Sequence, residues 1–331
     1  MKLGLDLFSL RRQKWDAFQH LEYAHRIGLN VVHFSDLEAF ASTDEPYLQT
    51  VKARADELGL LIEVGMGSIC PTSTTFKPQL GGAVEQLTQM LHIAHTLGSP
   101  AVRCFLGANA DRRTELPLAA HIENTIATCR AVRNLALELG VKIAIENHAG
   151  DLQARELRML IETAGADYVG AVIDTGNPVW VAESPFVTLE QLAPYVVMAH
   201  IRDSVVAPHP KGAVVQWVAM GDGSIDIAAW AQQFQARCPS VHFTLEIITS
   251  IAPRVLNYLE PEFWTVYPDT PAHEFARFVA LVQRGWPNLA PVLTADWSDP
   301  SPEVQAALVV QQRRQVEKSV DYCRNVLGIG E

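Results

Sequence analysis

The sequence has no C-x-x-C pair; its five cysteines, Cys70, Cys104, Cys129, Cys238 and Cys323, are odd in number and scattered. Neither a zinc knuckle nor a disulfide framework is indicated. Basic residues are the minority, 26 Lys plus Arg against 37 Asp plus Glu, for a formal net charge of −11. Such a surface repels phosphate backbones and anionic lipid headgroups, so neither nucleic acid nor membrane is an expected partner. No uncharged apolar run approaches the roughly 18 residues of a membrane span. The opening MKLGLDLFSLRRQKWD has only a short apolar stretch, soon followed by charges. It does not read as a signal peptide, and the expected location is cytoplasmic.

What is present is an ordinary globular composition, 48% hydrophobic and 19% charged over 331 residues. Eight β-rich apolar runs alternate with longer helical patterns: LGLDLF from Leu3, LNVVHF from Leu29, LLIEVGM from Leu60, AVRCFL from Ala101, VKIAIEN from Val141, YVGAVID from Tyr168, YVVMAHI from Tyr195 and VHFTLEI from Val241. Their mean spacing of 34 residues is close to one strand–helix unit each. In Gln79–Gly98 the apolar residues Leu80, Val84, Leu87, Leu91, Ala94 and Leu97 recur at three- and four-residue steps, the pattern of an amphipathic helix. Gly28, Gly59, Gly98 and Gly140 read as helix stops.

Most of these strands are apolar on both faces until their last residues, as buried parallel strands are. The fold class is α/β, a (β/α)8 TIM barrel formed as a single domain over 1–331. The pattern breaks once, after the eighth strand. Residues 249–302 contain eight prolines and three tryptophans before a final helical run, Glu303–Leu327. A long insertion between strand 8 and the last helix emerges at the barrel mouth, and 249–302 reads as a cap that can also meet a partner subunit.

The chemistry shows where the last four strands end. Strand five ends in Glu146, strand six in Asp174, strand seven in His200 and strand eight in Glu246, so adjacent strands bring three carboxylates and an imidazole to one edge. Three carboxylates left together repel, and one would have to hold a proton at neutral pH. A divalent cation removes that cost and uses the same groups as ligands. Mixed carboxylate and imidazole donors suit Mn²⁺, Mg²⁺, Co²⁺ or Zn²⁺, and the lack of thiolates argues against a structural zinc.

These four residues, within the strings IENH, DTGN and HIRD, together with GDGSID from Gly221, resemble the xylose-isomerase-like TIM-barrel superfamily. That group includes sugar isomerases and epimerases, inosose isomerases and dehydratases, and endonuclease IV-type DNA-repair enzymes. The resemblance covers roughly residues 1–250 and the last helix. It implies one divalent metal ion, Mn²⁺ first, held by Glu146, Asp174, His200 and Glu246. It also implies that Glu146 and Glu246 act both as ligands and as the acid/base pair.

The chain departs from the nuclease members, which carry a His three residues after the strand-six Asp; here that position is Asn177. It also lacks their Asp-x-His after strand seven. Ketose 3-epimerases tend to carry a Glu six residues after the first metal Glu and an Arg six after the metal His, where this chain has Leu152 and Val206. The string ENHAGD is closer to the ENHGG of inosose- and sugar-type members.

Five residues are candidate substrate contacts. His148 and Arg202 lie two residues beyond Glu146 and His200 and so point to the same side if the strands extend. Asn177 either touches substrate or shapes the DTGN turn, and the alternative for Arg202 is an ion pair with Asp203 or another acidic neighbour. Trp15 and Trp180 follow strands one and six, where an indole face can stack on a sugar ring. Trp264, Trp286 and Trp297 in the cap are further candidates, whereas His92 and His95 sit on a helix away from the mouth and have no assigned role.

The expected function is a metal-dependent isomerase or epimerase acting on a sugar, keto-sugar or cyclic polyol through an enediolate. The rival is a lyase on the same scaffold, of the inosose-dehydratase type or eliminating from a 3-keto-glycoside. A non-catalytic sugar-binding subunit is the third reading. The partner is a small carbohydrate or polyol, and the chain is expected to be a homo-oligomer, with a partner subunit as the variant.

Overall fold

The computed structural model describes residues 1–286, 289–295 and 300–330; Trp297 lies outside them. Eleven strands run in chain order: β1 Leu3–Asp6, β2 Val31–Phe34, β3 Leu61–Ser68, β4 Ala101–Phe105, β5 Lys142–Glu146, β6 Val169–Asp174, β7 Val196–His200, β8 Asp203–His209, β9 Gly212–Val218, β10 Phe243–Leu245 and β11 Arg254–Leu256. Eight of them, β1 to β7 and β10, form one parallel sheet in the order β10-β1-β2-β3-β4-β5-β6-β7. A bridge from Ile201 to Leu245 brings its two ends together, so the sheet closes as a (β/α)8 barrel. All eight predicted strands are these eight.

Side chains on a strand alternate between faces, and here the two faces are chemically opposite. Leu3, Leu5, Val32, Phe34, Ile62, Val64, Val102, Cys104, Ile143 and Ile145 join the main core beneath the surrounding helices. The alternate residues turn inward. Ala101, Ala144, Val172 and Met198 form a small apolar floor. Above it the interior carries Asp6, His33, Glu63, Arg103, Glu146, Asp174, His200, Thr244 and Glu246, all buried. Register aligns them across neighbouring strands: Asp6 with His33, His33 with Glu63, and Asp174 with His200. Gly65 faces His33 and Arg103, and a Cβ there would meet both at 3.1 Å, so a side chain would crowd the two polar groups.

The helix expected over Gln79–Gly98 runs over Ala83–Leu97. Gly81-Gly82 delays its start, and Glu85 turns back to accept the Gly82 N–H. Leu80 and Val84, read as part of the apolar stripe, are therefore exposed, whereas Leu87, Leu91, Ala94 and Leu97 are buried. Gly98 ends the helix in the left-handed region (φ 73°), where a side chain is strained. The last helix, Pro302–Asn325, packs against the turn after β1, with Gln312 accepting the Arg12 N–H and Gln13 donating to the Val309 carbonyl.

The strand–helix alternation breaks a second time, which the sequence reading missed. Between β7 and the helix Ile227–Arg237 the chain forms the β8–β9 hairpin, and β11 pairs antiparallel with β9 to make a separate three-stranded sheet. The helix Ala272–Arg284 lies against it, and Val206, Val215, Leu256, Phe278 and Val282 form a second core. Residues after β10 thus complete a structure begun before it.

Candidate active site

The strings that end β5, β6 and β7 are tied to one another. Asn147 donates to the Asp174 carbonyl at 3.0 Å and accepts the Asp174 N–H at 2.9 Å, locking β5 to β6. Thr175 Oγ1 donates to the Arg202 carbonyl and accepts the Arg202 N–H, locking β6 to β7. One Asp174 oxygen accepts the N–H groups of Gly176 and Asn177, which shapes the DTGN turn. These bonds leave little freedom in where the strand-end side chains point.

Glu146, Asp174, His200 and Glu246 converge. Each offers a ligand atom, the four atoms lie within 4.8 Å of one another, and all four residues are buried. His200 Nδ1 lies 3.4 Å from Glu146 Oε2 and 3.7 Å from Glu246 Oε2, and it makes no hydrogen bond among the described residues. Arg103 pairs with Glu146, and Arg202 pairs with both Asp174 and Glu246. Burial alone would raise the Glu146 carboxyl; the Arg103 guanidinium, aided by His200 when that ring is protonated, more than offsets it and holds the group well below its usual range. At Asp174 burial outweighs Arg202 and the carboxyl is pushed up to about 6.

A second group touches the first through His200. Its Nε2 lies 2.8 Å from His33 Nδ1 and 3.2 Å from Asp6 Oδ2, and all three side chains are fully buried. Burial and the neighbouring His200 keep His33 neutral, its pKa well below the ordinary value. Glu63, deeper in the barrel, accepts from Thr244 and is raised by burial to about 7. None of Asp6, His33, Glu63 and Arg103 was picked out from the sequence. The signal was present, because each interrupts or ends an apolar strand at an inward-facing position.

The structure separates the five substrate candidates. Asn177 donates from Nδ2 to Glu146 Oε1 at 3.2 Å, and its buried Oδ1 has no partner. Arg202 leaves Nη1 buried without a partner. Asp203 does not pair with Arg202; its carboxylate accepts the N–H groups of Ser204, Gly221 and Gly223. That ties the hairpin to the GDGSID segment, whose Asp226 caps the next helix. His148 stacks on Phe105 with centroids 3.8 Å apart and bonds through Nδ1 to the Gly107 carbonyl, and burial lowers it to about 4. Trp15 packs on Tyr23 and lines a cavity of about 1100 Å³ beside β1 and β2. Trp180 stacks on Trp217 at 4.2 Å, with Arg254 on it and Arg202 on Trp217, so its contacts are within the protein.

The model of the xylose isomerase-like TIM-barrel family matches residues 21–264. The chain belongs to this family. Among curated relatives, the uncharacterized protein YihM of Escherichia coli strain K12 is 26% identical over 200 residues, 60% of this chain and 55% of that protein. The 3-oxo-isoapionate decarboxylase of Pectobacterium atrosepticum is 22% identical over 214 residues, 64% of this chain and 70% of that enzyme. A solved D-psicose 3-epimerase superposes with a TM-score of 0.64 at 13% identity, covering 99% of this chain and 100% of that one. The four convergent donors form a site that could hold a metal ion.

Proposed function

We propose that this family member is a divalent-metal-dependent isomerase or epimerase of a sugar, keto-sugar or cyclic polyol. The observation that carries the reading is the buried convergence of Glu146, Asp174, His200 and Glu246 at the strand ends that form the barrel mouth. The donor set fits such an ion. The three carboxylates of the set face two guanidinium groups, Arg103 and Arg202, which leaves an excess of negative charge that a cation offsets. His200 Nδ1, buried and unbonded, is a lone-pair donor in search of a partner. Mn²⁺ is the ion we assign, since oxygen donors dominate.

When bound, the ion polarises a carbonyl and its neighbouring hydroxyl and offsets the negative charge that develops as a carbon-bound proton leaves. The chain supplies the proton transfer. Glu146 and Glu246 come from strands on different sides of the ring, and one removes the proton that the other returns. Arg103 on Glu146 and Arg202 on Asp174 and Glu246 fix the carboxylates in place. The unpartnered Arg202 Nη1 and Asn177 Oδ1 are one donor and one acceptor for substrate hydroxyl and carbonyl groups, and His148 and Trp15, the latter lining the cavity beside β1 and β2, are further contacts we assign. Trp180 serves indirectly, by backing the Trp217 ring on which Arg202 rests.

The decarboxylase among the relatives favours a second reading, a lyase on the same scaffold. The same electron-rich carbon then either forms by loss of CO₂ and takes up a proton, or forms by proton removal and expels a leaving group instead of being reprotonated. Incubation of a keto-sugar and inosose panel in D₂O with Mn²⁺-loaded protein separates these. One deuteron gained at carbon without fragmentation supports the isomerase or epimerase; release of water, CO₂ or an aglycone supports the lyase; neither, across the panel, supports a non-catalytic binder. We place the protein in the cytoplasm as a homo-oligomer, one domain over 1–331 with 249–302 as the cap. Among the described residues no helix is long and apolar enough to cross a membrane.

A further inference from the structure

His200 has two ring nitrogens in two different environments. Nδ1 faces Glu146 and Glu246 and is unbonded, whereas Nε2 faces Asp6 at 3.2 Å and His33 Nδ1 at 2.8 Å. A neutral imidazole carries one proton, and the nitrogen without it is the one that can bind a metal. We propose that Asp6 and His33 are positioning residues that fix this choice, holding the proton of His200 on Nε2 and presenting Nδ1 to the carboxylates. The inference rests on the metal-site reading above and deepens it.

The geometry supports this ordering. Asp6 is itself anchored: Oδ1 accepts the Phe8 N–H at 2.7 Å and Oδ2 accepts the Ser35 hydroxyl. Oδ2 is closer to His200 Nε2 than to His33 Nδ1, 3.2 against 3.5 Å, so the shared proton belongs on His200. His33 Nδ1 is then an acceptor, and the two rings meet at a 45° tilt with centroids 4.7 Å apart. All three side chains are fully buried, so no water competes for the proton. A buried carboxylate acting on the far nitrogen of a metal-binding His also raises the basicity of the near one. Asp6 and His33 come from β1 and β2, on the other side of the β10–β1 join from His200, so the pair also couples the barrel's first strands to its seventh.

The test is Co²⁺ titration of the metal-stripped full chain, read by calorimetry and by visible absorption, with metal-free melting curves as the folding control. In Asp6→Asn the amide oxygen stays on the Phe8 N–H and the amide N–H turns towards His200, which replaces an acceptor of the Nε2 proton by a donor and shifts the proton towards Nδ1. Wild type is expected to bind one Co²⁺ per chain, and Asp6→Asn to bind about 10- to 100-fold more weakly with an altered visible spectrum. His33→Leu should weaken binding in the same direction. His33→Asn, whose Oδ1 takes the acceptor position of Nδ1, should recover most of the loss. Equal affinity and spectra across folded variants would overturn the inference while leaving the metal site standing. Two ions in wild type and one in Asp6→Asn would contradict it, making Asp6 and His33 ligands instead. Absence of Co²⁺ binding by wild type overturns both readings. Should Asp6→Asn not fold, the His33→Leu and His33→Asn pair decides alone.

Discussion

The barrel interior has two unequal halves. Strands β5, β6, β7 and β10 each deliver one donor to a common point, Glu146, Asp174, His200 and Glu246. Strands β1 to β4 deliver Asp6, His33, Glu63 and Arg103, none of which belongs to that set of four, although three touch it directly, Arg103 at Glu146 and Asp6 and His33 at His200. The late half holds donors at the mouth; the early half holds the groups that orient and neutralise them. The division is one of depth as well. Glu146, Asp174 and His200 end their strands and Glu246 follows its own, whereas His33, Glu63 and Arg103 lie within theirs, where a polar side chain stands only if its neighbours compensate it.

Changes in the two halves should therefore fail differently. The largest effect belongs to the late half: Glu146→Gln with Glu246→Gln keeps the volume but removes both groups proposed as the acid/base pair. Turnover on whichever substrate shows exchange in D₂O should fall by at least about 10³-fold, while circular dichroism stays that of the wild type. An active double variant would move the chemistry elsewhere. Arg103→Met, in the early half, should act through the fold. It leaves Glu146 buried beside His200 without its guanidinium, at a cost of about 3–5 kcal/mol in chemical denaturation. A loss below about 1 kcal/mol would show that Arg103 is not the compensating charge.

Glu63 sharpens the comparison through pH. Its folded pKa of about 7 exceeds the ordinary value of 4.5 because burial disfavours the charged form. Between those values the folded chain holds a proton that the unfolded chain has released, so this group's contribution falls as pH rises from 4.5 to 7. Glu63→Gln should flatten that part of the stability–pH curve and gain on the order of 3 kcal/mol at pH 8. An unchanged slope would mean Glu63 ionises freely. The smallest effect lies outside both halves: Leu80→Ser should cost less than about 0.5 kcal/mol, against about 2–5 kcal/mol for Leu91→Ala, because only Leu91 is buried. Similar losses would restore the longer helix expected from periodicity.

Which features were legible follows the same division. Strand-end residues such as Glu146 and Asp174 stand out because they close an apolar run, and the eight runs themselves gave the barrel. His33 in VVHF and Arg103 in AVRC were equally visible as letters. Their meaning depends on the inward alternation of a closed sheet, which places them opposite partners many residues away. The β8–β9 hairpin pairs locally, but the other edge of β9 is covered only by β11, beyond the eighth barrel strand, so its sheet is completed from a distance. Arg202 illustrates the limit in one residue. The sequence points to an ion pair with Asp203 or another acidic neighbour, and the pair forms, but with Asp174 and Glu246, which are distant in sequence, while Asp203 is occupied by the GDGSID loop.

The central claim is that the late-half residues form a single metal centre. Metal content per chain, measured on protein stripped and reloaded with Mn²⁺, tests it most directly, beside the Glu146→Gln/Glu246→Gln variant. The account expects one ion per wild-type chain and none in the folded variant. A wild-type chain that retains no divalent ion would contradict it.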